Sequence, residues 1–319
     1  MDSTIGSILS DLKLFRIDGG LATELVSSAM SLEKHLQTLI ERNMDPLFGV
    51  RLLASEYSTG ARHGGRIDSL GIDENGSPVI FEYKRSRDEN VINQGLFYLD
   101  WLLDHRAEFT LLAMKQLGAA ADEIDWSNPR LVCVARDFTR YDEHAVQQIN
   151  RTVELVRYRD YDGQLLALEL LTAVTGTPAC EPGLGADPAG MTTRVRAGAN
   201  HQKTVSQYLE QAPESLKNLF ADLDAALTAF GDDVQRTTRK LYFAYKRLKN
   251  FACVEVHPRD HTLLVYTKVD PESVDLEDGF TRDVRTIGHF GTGDLEVRIK
   301  NHSDLDRAGD LLLRSYQAS

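Results

Sequence analysis

The segment GRIDSLGIDENGSPVIFEYKR, residues 65–85, contains two strand-like runs joined by a tight turn. The runs are Gly65 to Asp73 and Pro78 to Arg85, and apolar residues recur through both. Between them lies Glu74-Asn75-Gly76-Ser77, whose Asn-Gly pair is a strong hairpin signal because both residues tolerate a positive φ. The segment therefore predicts two strands that pair antiparallel.

The second run carries two charges in an apolar setting. Side chains alternate along a strand, so Glu82 and Lys84 share one face while Phe81 and Tyr83 share the other. A charge buried in a central strand is unfavourable unless it is paired or binds a metal. An edge strand whose Glu-x-Lys side chains face water is the ordinary alternative.

Asp68 in the first run favours a functional interpretation of Glu82 and Lys84 over an edge strand that faces water. Antiparallel pairing across the turn brings Asp68 near Glu82, so two carboxylates converge. A hard divalent cation with oxygen ligands, above all Mg²⁺ with Mn²⁺ as a substitute, would remove their repulsion. Lys84 beside such an ion could orient the attacking water or neutralise charge on a phosphoryl oxygen. The hairpin therefore predicts a metal-dependent hydrolytic site.

Two predicted helices supply further candidates. Gln94 and Tyr98 lie four residues apart in the run Glu89–Arg106 and share a helix face, although Tyr98 alone fits an ordinary core position. Glu33, in the upstream helix Leu32–Ile40, is the acidic residue best placed to face the sheet. A solvated glutamate next to Lys34 is an equally good interpretation of Glu33.

The whole chain divides into two domains around a segment rich in glycine, proline and alanine. Residues 1–172 alternate helices and strands, which predicts an α/β or α+β sheet flanked by helices. Residues 173–202 are predicted as a linker, because Thr175–Asn200 has no hydrophobic period. Residues 203–319 predict a smaller α+β domain.

Taken in order, Glu33, Asp68, Glu82-Tyr83-Lys84 and Gln94-x-x-x-Tyr98 resemble the motifs of the PD-(D/E)XK nuclease superfamily, specifically its RecB-like branch. The likeness is strongest to the catalytic domain of the NucS/EndoMS mismatch endonucleases and covers about residues 30–140. It implies an α/β fold with a restriction-endonuclease-like core, a mixed sheet flanked by helices. It also implies that Asp68, Glu82 and the carbonyl of Tyr83 bind the metal, that Lys84 acts on the water, and that the other residues support the site.

The second domain is predicted to start with two helices, Glu214–Phe230 and Asp232–Leu248, followed by a hairpin over Phe251–Val269, a further strand and a last helix from Ser303. It resembles an uncharacterised domain found behind nuclease-like domains in bacterial proteins. Basic residues crowd the second of these helices, which predicts either a nucleic-acid contact or a solvated face. The candidate contacts are Arg66, Arg85, Arg239, Lys240, Lys246 and Arg247.

Composition limits the partners. The net charge of −12 opposes non-specific binding to nucleic acid, although part of the acidity would belong to the metal site. No apolar run is long enough to cross a membrane, and three widely separated cysteines are interpreted as reduced, so a cytoplasmic protein is expected. The leading interpretation is a magnesium-dependent DNA endonuclease. The alternative is a non-cleaving module that binds nucleic acid or protein, and a homodimer or a protein partner bound through the second domain stays open.

Overall fold

The computed structural model describes residues 12–86, 90–118, 124–176 and 203–319. Within these ranges the chain forms two six-stranded sheets and a separate two-stranded hairpin. The hairpin consists of β1 (Leu14–Asp18) and β2 (Leu21–Leu25). Each six-stranded sheet has its own helices and its own apolar core.

The first sheet is mixed. Its strands are β3 (Val50–Ser58), β4 (Arg66–Asp73), β5 (Pro78–Lys84), β6 (Arg130–Ala135), β7 (Thr152–Tyr161) and β8 (Leu165–Val174), and they neighbour one another in chain order. The pairs β3–β4, β4–β5 and β7–β8 are antiparallel, while β5, β6 and β7 run parallel. The predicted β4–β5 hairpin is thereby confirmed, and β5 lies inside the sheet.

Helices cover both faces of this sheet. They are α1 (Glu33–Arg42), α2 (Met44–Phe48), α3 (Gly60–His63), α4 (Val91–Asp104), α5 (Arg106–Leu117) and α6 (Arg140–Gln147). Leu36 and Phe48 from α1 and α2 pack with Phe81 and Tyr83, whereas Leu99 of α4 packs on the other side. Because both faces are covered, β5 is almost continuously buried. The α/β fold with a mixed sheet flanked by helices is confirmed.

The second unit is an antiparallel sheet with helices on one face. Its elements are α7 (Val205–Glu210), α8 (Glu214–Thr228), β9 (Gln235–Thr238), β10 (Phe243–Lys246), β11 (Asn250–His257), β12 (Thr262–Thr267), β13 (Thr281–Asp283), β14 (Leu295–Ile299) and α9 (His302–Gln317). The strand order is β13-β14-β12-β11-β10-β9. Leu223 of α8 and Leu312 of α9 pack with Phe251 and Val265, which makes the α+β core.

The helix predicted over Asp232–Leu248 is wrong, because that segment forms β9 and β10. The two strands pair antiparallel, with Thr238 opposite Phe243. The β-branched and aromatic residues of the segment suit a strand, and β10 gains a second partner in β11. Tertiary pairing therefore overrides the helical spacing of its apolar residues.

The predicted linker between the two domains, residues 173–202, is described only in part. The first two residues of the predicted linker, 173 and 174, belong to β8, and residues 177–202 lie outside the described part of the chain. In the described ranges, no helix combines the length and the apolar character that a membrane span requires.

Candidate metal centre

Asp68 and Glu82 meet where β4 and β5 separate. The last backbone pair between these strands is Ser69 with Phe81, so Asp68 and Glu82 are the next residues beyond it. The side chain of Glu82 accepts a hydrogen bond from the amide of Asp68 at 3.3 Å. The side chain of Asp68 accepts one from the amide of Tyr83 at 3.0 Å. Hairpin pairing thus brings both carboxylates to one end of the sheet.

The environment of Glu82 is unfavourable for an isolated carboxylate. Glu82 has no exposed surface, and its Oε2 has no hydrogen-bond partner among the described residues. Burial, followed by the charge of Asp68, raises the pKa of Glu82 to about 9. Burial also raises the pKa of Asp68. A cation between the two groups would satisfy the unpaired oxygen and favour both ionised forms.

The donor set fits Mg²⁺ or Mn²⁺. Mg²⁺ commonly binds one or two carboxylates and retains several waters, which matches Asp68 and Glu82. Across the ranges that the structure describes, no three His, Cys, Asp or Glu side chains are grouped to hold a metal. The amide of Tyr83 already contacts Asp68, while its carbonyl stays a predicted ligand.

Lys84 and Glu33 lie beside the two carboxylates. The Lys84 ammonium is 3.4 Å from Glu33 Oε2, which joins β5 to the start of α1. The Lys84 side chain is only 17% exposed, and its charge is among those that lower the pKa of Glu82 against the larger effect of burial. The structure therefore brings together the four charged residues that the sequence singled out.

Gln37, which the sequence reasoning missed, attaches α1 to the site. This buried side chain donates from Nε2 to the backbone carbonyl of Asp68 at 2.8 Å and to Glu41 at 2.9 Å. Glu41 also accepts from Ser69, whose hydroxyl accepts from Tyr83. A glutamine on the buried face of an amphipathic helix was the available signal, because buried amides need partners.

Gln94 and Tyr98 approach the beginning of β4 from α4. The hydroxyl of buried Tyr98 accepts a hydrogen bond from the amide of Arg66 at 3.1 Å and lies 3.4 Å from Gln94 Nε2. Arg66 precedes Asp68 by two residues. Gln94 and Tyr98 therefore hold the strand that carries Asp68.

Gly65 provides the space that Tyr98 occupies. A Cβ at residue 65 would lie 2.5 Å from the Tyr98 ring. We expect Gly65→Ala to reduce the free energy of unfolding by about 1–3 kcal/mol, measured by urea denaturation, since overpacking displaces the ring. Gly309→Ala in α9 is the matched control, because its Cβ meets no atom within 4 Å and alanine favours a helix. Equal stability of the two variants would contradict this packing constraint.

The predicted nucleic-acid contacts divide into two groups. Arg66 and Arg85 are exposed near the carboxylates, where Arg66 pairs with Glu56 and Arg85 donates to the carbonyl of Ser31. These two stay predicted contacts.

The basic helical face predicted in the second domain is wrong, because its residues lie on strands and a turn. Arg239 and Lys246 are buried against carboxylates of the first domain, so they are not available to phosphates. Arg247 pairs with Asp233, and Lys240 is exposed.

Comparisons with known proteins match each part of the chain differently. Residues 205–319 match the family described as a domain of unknown function, DUF5655. A protein described as uncharacterized from Haemophilus influenzae (strain ATCC 51907 / DSM 11121 / KW20 / Rd) is 24% identical over 314 residues, covering 96% of this chain and 100% of that one.

Two solved structures are similar to part of this chain. The crystal structure of a repair endonuclease from Pyrococcus abyssi has a TM-score of 0.29 and 20% identity, over 43% of this chain and 50% of its own. A complex of EndoMS with double-stranded DNA has a TM-score of 0.24 and 19% identity, over 41% and 47%.

Proposed function

We propose that the first domain is a magnesium-dependent endonuclease that hydrolyses DNA phosphodiester bonds. The observation that carries this proposal is the buried Glu82 carboxylate, with one unpartnered oxygen beside Asp68 in the described structure. A purely structural role gives no reason to bury the Glu82 carboxylate beside the half-buried Asp68, since burial and the charge of Asp68 raise the pKa of Glu82. Cation binding gives such a reason.

In this proposal each charged residue has a separate task. Asp68 and Glu82 hold the ion, with the carbonyl of Tyr83 as a further ligand. Bound Mg²⁺ would supply Lewis-acid activation of the phosphodiester. Lys84 stabilises the negative charge that develops on the phosphoryl oxygens and helps to orient the attacking water. Glu33 keeps the Lys84 ammonium in position through their 3.4 Å contact.

The remaining residues orient the strands and the substrate. Gln94 and Tyr98 fix the beginning of β4, and Gln37 fixes the backbone of Asp68. Exposed Arg66 and Arg85 flank the carboxylates and would contact the DNA backbone, as cations do in most protein–DNA interfaces. Such contacts would offset the repulsion between DNA and an acidic protein.

A cleavage assay on the full-length protein tests the proposal. Labelled single-stranded, double-stranded, branched and mismatched DNA is incubated with Mg²⁺, Mn²⁺ or a chelator. We expect cleavage of at least one substrate with either metal and none with the chelator. Lys84→Met keeps the aliphatic stem but loses the charge, so its rate should fall about 10²–10³-fold, the usual effect of removing one group that stabilises transition-state charge.

The same assay distinguishes an endonuclease from the alternative function. A wild-type protein that binds DNA but cuts none of the substrates with either metal would favour a non-cleaving binding module. Cleavage that persists in the chelator, or at full rate in Lys84→Met, would contradict the assigned roles.

A further inference from the structure

The turn between β4 and β5 is a docking point for the second domain. Glu74 accepts hydrogen bonds from the Thr292 hydroxyl at 2.7 Å and from the Asn250 amide at 3.3 Å, and it pairs with Lys268 at 2.6 Å. Asn75 accepts from the Tyr242 hydroxyl at 2.9 Å and from the Asn250 side chain at 2.7 Å. The second domain therefore contacts the hairpin that carries both candidate metal ligands, at the end opposite to them.

Asp73 connects this contact to the shape of the turn. Its Oδ1 accepts hydrogen bonds from the amides of Asn75 and Ser77, both at 2.9 Å, which closes the turn. Its Oδ2 is 2.8 Å from Arg130 and 3.9 Å from Arg239 of the second domain. Arg239 also donates to the Ser77 hydroxyl at 2.8 Å. Arg239 thus contacts both ends of the turn from within the interface.

A second buried ion pair closes the same interface. Lys246 of β10 contacts Glu154 of β7, and both side chains are buried. Arg130 binds Glu154 through two hydrogen bonds of 2.9 Å. Three cations from two domains therefore surround two buried carboxylates, so separating the domains would leave the carboxylates undercompensated.

We propose that the second domain clamps the acidic β4–β5 turn and that this docking sets the metal affinity of the Asp68–Glu82 cluster. The inference rests on the proposed metal site and gives the second domain a positioning role. Hairpin register depends on turn geometry, and a slip of one residue would move Glu82 to the opposite face. Asp73 fixes the turn, and Arg239 helps to balance its buried charge.

The second domain acts through the strands and not by contact with the metal. Asp73 lies five positions after Asp68, which corresponds to roughly 17 Å along an extended strand. Between them, β4 is paired on both sides by β3 and β5. A change in the turn would therefore be felt at Asp68 through the register and twist of the hairpin.

The test uses Arg239→Met in the full-length protein. Its matched control is Arg236→Met. Arg236 lies in β9, three residues before Arg239, and pairs with Asp224 inside the second domain. Mn²⁺ affinity is measured by calorimetry at a temperature where all variants are folded. We expect about tenfold weaker Mn²⁺ binding in Arg239→Met, as is typical when support of a metal ligand is lost, and no change in the control.

Amide hydrogen exchange tests the effect of the second domain on the hairpin independently of metal binding. The amides of Asp68 and Tyr83 donate hydrogen bonds to the two carboxylates. Without metal, these amides should exchange faster in Arg239→Met than in the wild type. Their exchange rates should be unchanged in Arg236→Met. Unchanged exchange and unchanged Mn²⁺ affinity would each overturn the clamp. A wild-type protein that binds no Mn²⁺ would overturn the metal site instead, and the exchange rates would still decide whether the turn controls the hairpin.

A milder variant covers the case in which Arg239→Met does not fold. Thr292→Val removes one hydroxyl that binds Glu74 and keeps the shape of the side chain. We expect the same direction of change in both measurements, with a smaller size. Wild-type values in Thr292→Val, together with an unfolded Arg239→Met, would mean that the interface serves stability alone and would overturn the positioning role.

Discussion

Glu82→Gln is expected to lower Mg²⁺-dependent DNA cleavage by about a thousandfold while the protein stays folded, because it removes the charge that holds the ion. Glutamine has nearly the shape of glutamate and can still accept the hydrogen bond from the Asp68 amide. Single-turnover rates on the best substrate measure the effect. Glu214→Gln, an exposed glutamate at the start of α8, is the control and should cut at the wild-type rate.

The same substitution should stabilise the metal-free protein. The pKa of Glu82 is raised from 4.5 to about 9, so the folded state retains a proton that the unfolded state releases above about pH 4.5. Wild-type stability therefore falls as pH rises from about 4.5 to 9, and Glu82→Gln lacks this loss. Its melting temperature should exceed that of the wild type most clearly near pH 9.

Added metal should make the wild type more stable than Glu82→Gln. Mn²⁺ binds the folded wild type and stabilises it by mass action, whereas Glu82→Gln has lost one carboxylate ligand. Thermal melts at pH 6 and pH 9, with and without Mn²⁺, check both effects. A Glu82→Gln variant that cuts at the wild-type rate would refute the catalytic assignment. A variant that cannot fold would make Glu82 structural.

The hairpin and its charges could be predicted because the relevant signals are local. The Asn75-Gly76 turn, the alternation around Glu82 and the spacing of Gln94 and Tyr98 each lie within a few residues. Pairing across one turn then fixes which side chains meet. Gln37 was missed because its partner, the Asp68 carbonyl, is a backbone group on a strand 31 residues away.

The second domain shows where local patterns fail. The segment Asp232–Leu248 has apolar residues at helical spacing, yet it forms β9 and β10, because β11 offers β10 a partner. Its cations recur at helical spacing, which predicted either a nucleic-acid contact or a solvated face. Arg239 and Lys246 instead meet Asp73 and Glu154, which no spacing in the sequence connects to them.

The buried ion pairs of Arg130, which lie beside the domain interface, should contribute strongly to the stability of the chain. Arg130→Met removes the cation that contacts both Asp73 and Glu154, and each of these three side chains is buried. We expect a loss of about 3–5 kcal/mol in the free energy of unfolding, the usual result of leaving a buried charge uncompensated. Arg285→Met is the control, since Arg285 is 40% exposed and its ion pairs are screened by solvent, so its loss should change the free energy of unfolding far less.

The pH dependence of stability tests the contribution of the Glu154 charge to that loss. Burial alone would raise the pKa of Glu154, but Arg130 and Lys246 outweigh it and hold the pKa at about 2, below the ordinary 4.5. The stability contributed by Glu154 is therefore complete above about pH 4.5 and is lost as pH falls toward 2. Without Arg130 the pKa of Glu154 rises, so the variant should lose less stability on acidification. Urea titrations at pH 7, 4 and 3 measure this. If Arg130→Met lost as much stability on acidification as the wild type, Lys246 alone would be sufficient to keep the pKa of Glu154 low.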